Sequence, residues 1–402
     1  MAEHASSHPS IAYSTRLCPV VDWMLSEGRL ERDLGRFIDG LMSRAVAAGL
    51  PIWRFYVGLQ LVHPQMVATG VLWRGSGTYE EIPRAHGIMT SSAYVGSPMQ
   101  EVRLKNDAVR YGLEEELGDD AHLVLHELKG GGGTDYFAMP VRLGRPGSPP
   151  VASFATDRAG GFSDEELVDL RHLVDLMAPI AEIYIYRSIS ETVTDTYLGH
   201  IVGEQILGGL IKRGDGREIN AVLWFSDLRD FTGLNERLSA SELLDLLNNY
   251  LQLVGDALKA YGGEILKFIG DGVMAYFPAE DALFLPVVTN NAVSAARRLI
   301  TDVEAANEAR AAGGADPLRF GVGLHVGLVT FGNIGTEDRL DFTVIGPAVN
   351  RASRLEGLTK QLGVPVLASS EFNTVSTVPM KSLGKHPLRG VPEPVEVFTL
   401  PD

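Results

Sequence analysis

The sequence predicts an α+β protein with two folded units joined by a helical connector. Its 402 residues are enough for two or three domains of ordinary size. Short apolar runs typical of strands alternate with stretches in which apolar residues recur every three or four positions, as in amphipathic helices. This pattern changes at Ser163 and again at Glu218. We therefore divide the sequence into a flexible tail at 1–18, an α+β unit at 19–183, a helical connector at 184–217 and a second α+β unit at 218–402.

The composition is that of a globular protein and excludes several classes of partner. Hydrophobic residues make up 45% of the sequence and charged residues 21%, so a sizeable core can be buried. The net charge of −16, without a long run of Lys or Arg, argues against binding to nucleic acid or to an anionic membrane surface. A single cysteine, Cys18, permits no intrachain disulfide and favours a reducing compartment. No stretch approaches the ~20 apolar residues of a membrane helix, so we expect a cytoplasmic protein without membrane insertion.

The first unit is predicted to begin with a helix and to continue as strands. Apolar residues at helical spacing predict a helix from Val20 to Ala48, which Gly49 and Pro51 end. Ser163 and Glu166 form a capping-box pattern, which predicts the start of a long exit helix. The predicted strands are Trp53–Leu61, Val67–Arg74, His122–Leu128, Tyr136–Leu143 and Val151–Thr156.

This order of a helix, antiparallel strands and a long exit helix resembles a GAF- or PAS-like sensor module. The resemblance implies a small-molecule or protein input that the sequence does not identify. The connector at 184–217 fits a dimeric stalk or a plain linker, and the sequence leaves both open. The histidines of this unit lack the spacing of metal ligands; they are His63, His86, His122, His126 and His172.

The first candidate functional residue of the second unit is an aspartate at the end of a predicted strand. The apolar run Ala221–Phe225 predicts a buried strand, and Asp227 follows it at a turn into a helix. An acid at the end of a buried strand can bind a metal ion, and free backbone N–H groups of the turn can bind phosphate oxygens. Strand-end aspartates are also common helix caps, so this segment alone is weak evidence.

A second aspartate lies at the tip of a predicted β-hairpin. Apolar residues flank the Gly270-Asp271-Gly272 turn, where the glycines allow a tight turn and leave room for a ligand. Asp271 and Asp227 on adjacent strand ends would form a hard-oxygen site for Mg²⁺ or Mn²⁺. His325, in the apolar strand that follows, is predicted to be a hydrogen-bonded core histidine rather than a ligand.

A further segment of the second unit is predicted to be a strand that continues through a glycine turn into a helix. The strand contains Thr343, the turn contains Gly346, and the helix presents Asn350 and Arg354 on one face because they are four residues apart. An amide beside a planar guanidinium suits a ribose and a phosphate, although a solvated polar face has the same pattern.

These segments, in this order, resemble the class III adenylate/guanylate cyclase catalytic domain. The resemblance covers about Glu218–Leu400 and depends on three motifs in register: Phe225–Thr232, Lys267–Asp271 and Val349–Arg354. It implies a ferredoxin-like fold, a mixed sheet flanked by helices. It also implies a homodimer with shared active sites, in which metal ligands come from one protomer and nucleotide-binding residues from the other.

The resemblance implies a role for each matching residue. Asp227 and Asp271 would hold two Mg²⁺ or Mn²⁺ ions per site. Lys267 and Thr343 would recognise the purine, and Arg389 would hold the triphosphate where many members carry lysine. Asn350 would orient the ribose and Arg354 would stabilise the transition state. The residues of the turn that would surround the phosphates are Leu228, Arg229, Asp230, Phe231 and Thr232.

The predicted activity is the conversion of ATP to cyclic AMP and pyrophosphate. Lys267 can donate to adenine N1, whereas guanine N1 carries hydrogen and requires an acceptor, so Lys267 with Thr343 favours ATP. A guanylate cyclase or a non-catalytic nucleotide sensor are the alternatives. A diguanylate cyclase is excluded because Gly262-Gly263-Glu264-Ile265 does not match the motif of that family.

Overall fold

The computed structural model describes residues 14–60, 66–75, 77–144, 147–279 and 281–401. The chain divides into two compact units, Met1–Val193 and Thr194–Asp402, each of which is described by itself. Within the described ranges, every helix is too short or too polar to cross a lipid bilayer. The predicted flexible tail lies largely outside these ranges. Its end is not a tail, because Thr15–Leu17 forms a 3-10 helix and Leu17 is fully buried in the core.

The first unit is an antiparallel sheet with helices on both faces. In the described part of the chain, six strands are paired in the order β3-β2-β1-β6-β5-β4. The strands are β1 (Arg54–Gln60), β2 (Met66–Trp73), β3 (Tyr79–Ala85), β4 (Val109–Gly112), β5 (Asp135–Pro140) and β6 (Val151–Thr156). The helices are α1 (Cys18–Ser26), α2 (Leu34–Ala47), α3 (Pro98–Lys105), α4 (Leu123–Gly130) and α5 (Asp164–Leu198). The predicted α+β class of this unit is confirmed, whereas its likeness to a GAF or PAS module stays a prediction.

The two faces of the sheet have different surroundings, as the alternation along β1 shows. Phe55, Val57 and Leu59 are buried in the main core with side chains of α2 and α5. Arg54 and Tyr56 point to the opposite face, because successive strand residues alternate between the two faces of a sheet. That second face is covered by α3 and α4.

Two predictions of secondary structure in this unit are wrong. The helix predicted over Val20–Ala48 is two helices, because the chain leaves helical geometry in the 3-10 turn Gly28–Leu30 and is extended at Asp33. Asp33 then caps α2 by accepting a hydrogen bond from the Arg36 amide at 2.7 Å.

The segment predicted as strand His122–Leu128 is the helix α4. Its alternating Leu and Val residues resemble a strand, but the side chains that are buried, Leu125 and Leu128, are three residues apart, as a helix requires. His122 begins the helix, since its Nδ1 accepts a hydrogen bond from the Val124 amide at 3.2 Å. A capping histidine is a weak signal in sequence, because Ser, Thr, Asp and Asn are the usual caps.

The exit helix α5 begins as predicted and extends beyond the predicted boundary at 183. The Ser163 amide donates to Glu166 Oε2 at 2.8 Å and the Glu166 amide donates to Ser163 Oγ at 3.3 Å, which completes the capping box. The predicted connector contains the end of α5 and the next helix, α6 (His200–Leu207). Val202 of α6 is buried in the second unit's core, and the interpretation of this segment as a stalk or a linker stays a prediction.

The second unit is a mixed sheet flanked by helices. Among its described residues, the strand order is β13-β14-β12-β10-β7-β9-β8, and β11 pairs with the far half of β10. The strands are β7 (Gly216–Leu228), β8 (Glu264–Ile269), β9 (Gly272–Ala279), β10 (Phe320–Gly335), β11 (Leu340–Ile345), β12 (Val366–Ser369), β13 (Lys381–His386) and β14 (Val395–Thr399). The further helices are α7 (Phe231–Arg237), α8 (Ala240–Ala260), α9 (Leu285–Ala312), α10 (Pro347–Leu362) and α11 (Ser370–Val375). The pairing of β10 with β12 is parallel and the other pairings are antiparallel, as a mixed sheet requires.

Helix α10 lies unusually close to the sheet. A Cβ at Gly323 of β10 would lie 2.3 Å from the Ala352 carbonyl oxygen, and a Cβ at Gly327 would lie 2.6 Å from Ala348 Cβ. The glycines of β10 therefore permit direct backbone contact with α10. This contact sets the height of α10 above β7 and β10.

Candidate active site

Two aspartates meet at one end of the sheet. Asp227 lies near the end of the buried strand β7, and Asp271 lies in the turn between β8 and β9. Gly270 has a φ of +64°, which glycine adopts without strain, and a Cβ at Gly272 would lie 3.3 Å from Asp227 Oδ1. The Gly-Asp-Gly turn is therefore needed both for its shape and for the space beside Asp227. The predicted hairpin with an aspartate at its tip is confirmed.

The two carboxyl groups are close enough to share a hydrogen bond. Burial, the hydrogen bond with Asp271 and the negative charge of Asp271 together raise the pKa of Asp227 to about 7. Burial likewise raises the pKa of the nearby Glu356 to about 7. Without a cation, the site thus favours a proton between the aspartates, as is expected where like charges are held together.

This pair suits a divalent ion that keeps substrate or water ligands. Within the described ranges, no group of three His, Cys, Asp or Glu side chains is arranged to hold a metal. Mg²⁺ is commonly bound by one or two carboxylates together with substrate phosphates, so two aspartates at an accessible turn fit such an ion. The described histidines of the first unit form no such group, and His63 and the side chain of His86 lie outside the described residues.

The turn after Asp227 has only part of its backbone available to a phosphate. The Leu228 amide donates to Asp227 Oδ1 at 3.1 Å, and the Arg229 amide donates to the Arg319 carbonyl at 2.8 Å. Three further amides of the turn donate to no described residue, and these belong to Asp230, Phe231 and Thr232. Asp230 has a φ of +63°, a left-handed conformation in which the chain reverses into α7.

The predicted purine-recognising residues lie beside an acid that the sequence did not single out. Lys267 Nζ on β8 forms an ion pair with Asp341 Oδ2 on β11 at 2.5 Å. Asp341 and Thr343 are two residues apart on β11, so both side chains lie on one side of that strand. The structure thereby brings Lys267 to the strand that carries Thr343. The two-residue spacing of Asp341 and Thr343 was the feature of the sequence that could have indicated that Asp341 lies beside the predicted purine-recognising residues.

Asn350 and Arg354 lie on the side of α10 that faces away from its own sheet. The helix contacts β10 through Ala348, Ala352 and Glu356. A residue two positions from Ala352 is rotated by about 200° around the helix, so Asn350 and Arg354 lie on the opposite side. The expectation that these two residues share one helical face is therefore met.

Arg354 also lies against the loop that contains Arg389. A Cβ at Gly390 would lie 3.3 Å from an Arg354 guanidinium nitrogen, so the loop and this side chain are in contact. Arg389 is exposed, and among the described residues neither arginine forms an ion pair within 4.0 Å. Two cationic side chains are thus available near each other for an anionic ligand.

The aspartate pair and the Asn350–Arg354 pair do not face each other within one chain. Asp227 is paired with Gly321 of β10, and paired residues point to the same face of a sheet. A Cβ at Gly321 would lie 2.8 Å from Glu356 Oε1, so Asp227 points to the face that α10 covers. Asp227 is therefore beneath α10, whereas Asn350 and Arg354 are on the far side of this helix.

His325 is a core residue, as predicted. Only 3% of it is exposed, and its Nδ1 lies 2.8 Å from Ser369 Oγ. Burial lowers the pKa of His325 to about 4, so the ring is neutral at neutral pH.

The sequence of this unit matches a known family. Residues 217–401 match the family described as the adenylate and guanylate cyclase catalytic domain. These residues are a nucleotide cyclase catalytic domain. The mixed sheet flanked by helices that was predicted for a cyclase domain is therefore confirmed, together with the resemblance on which it depended.

Known cyclases are similar to the chain over this domain. Adenylate cyclase 1 of Rhizobium meliloti is 31% identical over 225 residues, which are 53% of this chain and 32% of that protein. An adenylate cyclase of Anabaena cylindrica is 38% identical over 147 residues, which are 36% of this chain and 28% of that protein. The chain thus spans about a third or less of the length of these relatives. The crystal structure of the adenylyl cyclase CyaB from P. aeruginosa is 32% identical and covers 47% of this chain and 96% of that chain, with a TM-score of 0.43.

Proposed function

We propose that this protein is an adenylate cyclase that converts ATP to 3′,5′-cyclic AMP and pyrophosphate under control of its N-terminal unit. The observation that carries the proposal is the Asp227–Asp271 pair, held at the end of the sheet of a cyclase domain. ATP is favoured over GTP because the Lys267 ammonium group would donate to adenine N1, and its ion-pair partner Asp341 lies on the same strand as Thr343. We place the reaction in the cytoplasm, where ATP is available and a free thiol such as Cys18 stays reduced.

Asp227 and Asp271 would together hold two divalent ions, Mg²⁺ or Mn²⁺. Such ions, when bound, lower the pKa of the ribose 3′-hydroxyl and neutralise charge on the triphosphate. Both carboxyl groups must be ionised to act as ligands, so the proton that the pair favours at neutral pH is released on binding.

The reaction is an intramolecular phosphoryl transfer. The ribose 3′-hydroxyl loses its proton to solvent and its oxygen forms a bond to the α-phosphorus, while the bond from that phosphorus to pyrophosphate breaks. Asn350 orients the ribose, and Arg354 neutralises the charge that develops on the α-phosphate, a role that can contribute ~10³-fold to the rate. Arg389, beside Arg354, binds the triphosphate, and the amides of Asp230–Thr232 bind its oxygens.

We infer that the active enzyme is a homodimer with two shared sites. Asn350 and Arg354 face away from Asp227 of their own chain, so they are positioned to serve the aspartate pair of a second chain. Each protomer would supply the metal ligands and the adjoining Asp230–Thr232 amides of one site. It would supply Lys267, Thr343, Asn350 and Arg354 to the other site. Two identical sites then follow from one twofold axis.

Purified full-length protein tests the activity. The chain is incubated with ATP or GTP in the presence of Mn²⁺ or Mg²⁺, and the cyclic product and pyrophosphate are separated by chromatography. We expect cyclic AMP as the product. The kcat/KM for ATP should be at least about tenfold above that for GTP, because the hydrogen bond from the Lys267 ammonium group can form with adenine N1 and not with guanine N1. Asp271→Ala should abolish product formation. Asp245→Ala, an exposed carboxylate of α8, should leave it unchanged.

Two other outcomes would replace the proposal. Preferential formation of cyclic GMP would make the protein a guanylate cyclase. Binding of ATP by the wild-type chain without any cyclic product, under conditions in which the dimer is present, would make it a nucleotide sensor.

A further inference from the structure

The first unit contains a cavity on the sheet face that is turned away from the main core. Arg54, Tyr56 and Gly58 of β1 form part of its floor, α3 contributes Met99 and Arg103, and α4 contributes Val124. The cavity has about 940 Å³ of empty space, part of which is open to solvent.

Small side chains on neighbouring strands keep the floor open. Gly58 of β1 is paired with Gly70 of β2, and Ser153 of β6 lies opposite Tyr56. A Cβ at Gly70 would lie 2.3 Å from the Tyr56 hydroxyl, so glycine at this position is what permits the tyrosine to lie along the sheet. The cavity therefore results from the small residues at these positions of β1, β2 and β6, and not from loose packing.

The charge of the cavity is opposite to that of the protein. Arg54, Arg84 and Arg103 line it, and no acidic side chain does so among the described residues. The whole chain carries a net charge of −16, so three arginines without an acid at one concave site are a marked local reversal. Low-dielectric walls concentrate such a positive potential in the cavity.

The guanidinium group of Arg54 is partly buried without an ion-pair partner among the described residues. Arg54 lies beside the sheet, and burial lowers the pKa of its guanidinium group. Within the described part of the chain, it forms neither a hydrogen bond nor an ion pair within 4.0 Å. Glu127 faces it from a neighbouring cavity and acts on it only at longer range. A cation in this position has no structural partner that explains its burial.

Arg84 resembles Arg54 in this respect, whereas Arg103 is held in place. Arg84 also forms no hydrogen bond or ion pair with a described residue. Arg103 donates to the Tyr94 hydroxyl at 3.1 Å and to the Pro149 carbonyl at 3.3 Å, and its guanidinium lies 5.4 Å from the centre of the Tyr94 ring. One arginine is thus fixed beside an aromatic wall, and two are available to a ligand.

We propose that this cavity binds a small organic anion, a carboxylate or phosphate on a flat apolar body, whose negative group pairs with Arg54 and Arg84. The planar guanidinium groups would receive the anion through paired N–H donors. The apolar body would lie among Tyr94, Met89 and Met99. The site and its ligand class do not depend on the activity of the cyclase domain.

Matched aromatic probes test the charge requirement on the full chain. 2-Naphthoate, 2-naphthyl phosphate and the neutral 2-naphthamide are titrated by calorimetry. We expect at least one of the anions to bind with one site per chain and about tenfold or more tighter than the amide, because charge-assisted hydrogen bonds distinguish them. The ratio of the two anion affinities then tells whether the ligand is a carboxylate or a phosphate. Absence of binding by both anions, or equal binding of the amide, would overturn the proposal.

Variants of the two arginines test the location. Arg54→Gln and Arg84→Gln should each weaken the tighter anion about tenfold and leave the amide unchanged, while Arg29→Gln, an exposed arginine of the same unit, should change neither. Without ligand, Arg54→Gln should melt at the wild-type temperature or above it, because it removes an unpaired buried charge. Unchanged anion affinity in both variants, or a lower melting temperature of Arg54→Gln, would contradict a ligand-binding role.

Discussion

At the scale of single residues, the partly buried pair of Asp227 and Asp271 makes the stability of the fold depend on pH. The pKa of Asp227 is raised from an ordinary value of 3.8 to about 7 in the folded chain. Between these two pH values the folded state holds more protons than the unfolded state, so the stability contributed by this group falls as pH rises through that window. We therefore expect ionised Asp227 to destabilise the metal-free protein at pH 8, whereas protonated Asp227 does not destabilise it at low pH.

Removal of this charge gives the first prediction. In the presence of EDTA at pH 8, Asp227→Asn should raise the free energy of unfolding by about 1–2 kcal/mol, a figure reduced from the full pKa shift because the group is only partly buried. Below pH 4 the variant and the wild type should be equally stable. Urea unfolding at both pH values measures the difference. Added Mn²⁺ should stabilise the wild type and not the variant, and a loss of stability at pH 8 would contradict this account.

The ion pair between Lys267 and Asp341 gives a second residue-scale prediction. Asp341 holds the ammonium group beside β11, and we infer that it positions Lys267 for the proposed purine recognition. Asp341→Asn should raise KM for ATP about tenfold, with a much smaller change in kcat, because a mispositioned donor weakens base binding more than the chemical step. Glu337→Gln, on the exposed turn before β11, is the matched control. A fall in kcat at unchanged KM would assign Asp341 a different role.

At the scale of elements, the backbone contact between α10 and β10 is the support of the site. Gly323 has the Ala352 carbonyl oxygen where its Cβ would be, at 2.3 Å, and Ala352 lies between Asn350 and Arg354 on the helix. Any side chain at position 323 must move α10 away from the sheet. Asn350 and Arg354, the proposed catalytic residues on the far side of the helix, would move with it.

A pair of glycine substitutions tests this support. Gly323→Ala should lower the free energy of unfolding by about 1–3 kcal/mol through overpacking and reduce kcat about tenfold or more. Gly357→Ala changes the same helix at an exposed position with nothing within 4 Å, and should stabilise the protein by ~0.5–1 kcal/mol at unchanged kcat. Equal behaviour of the two variants in unfolding and cyclase assays would show that the close approach is not needed.

Local patterns in the sequence were sufficient for elements that depend on nearest neighbours along the chain. The capping box at Ser163 and the glycine-flanked turn at Asp271 formed as predicted, because short-range hydrogen bonds and backbone conformation decide them. The segment from His122 to Leu128 was predicted wrongly, because packing of Leu125 and Leu128 under the sheet overrides the alternation of its residues.

Features that depend on distant parts of the chain were not visible in the sequence. The pairing of Lys267 with Asp341 joins residues 74 positions apart. The cavity lined by Arg54 and Arg84 depends on alternation along strands whose second face could not be assigned without α3 and α4. The α+β fold class of the two units could be predicted from the sequence because it follows from the periodicity of apolar residues in helices and strands. Contacts between elements depend on three-dimensional packing and could not be predicted in this way.

At the scale of the whole molecule, the division of site residues between two faces of α10 predicts an assembly. One chain cannot bring its own Asn350 and Arg354 to its own Asp227, which lies beneath the helix. A second copy in a twofold arrangement would complete both sites at once. Each chain is then inactive when either set of residues is lost, yet it retains the other set intact.

Complementation between two inactive variants tests this assembly. Asp271→Ala would lack a proposed metal ligand and Asn350→Ala the proposed ribose contact, so each should be inactive alone. In a mixture of equal amounts, half of the dimers are mixed and each mixed dimer has one intact site of two, so about a quarter of the wild-type activity should return. Asp271→Ala with Asp227→Ala is the matched control, in which every site lacks a metal ligand and no activity should return.

The outcome depends on proof that mixed dimers form. The two variants are therefore co-expressed with different affinity tags, and the doubly tagged dimer is isolated in sequence on both resins before the cyclase assay. Because this dimer contains one intact site of two, its activity should be about half that of the wild type. A doubly tagged dimer without activity would show that one chain supplies both the carboxylates and the Asn350–Arg354 face, which requires α10 to leave the position over Gly323 that it has here.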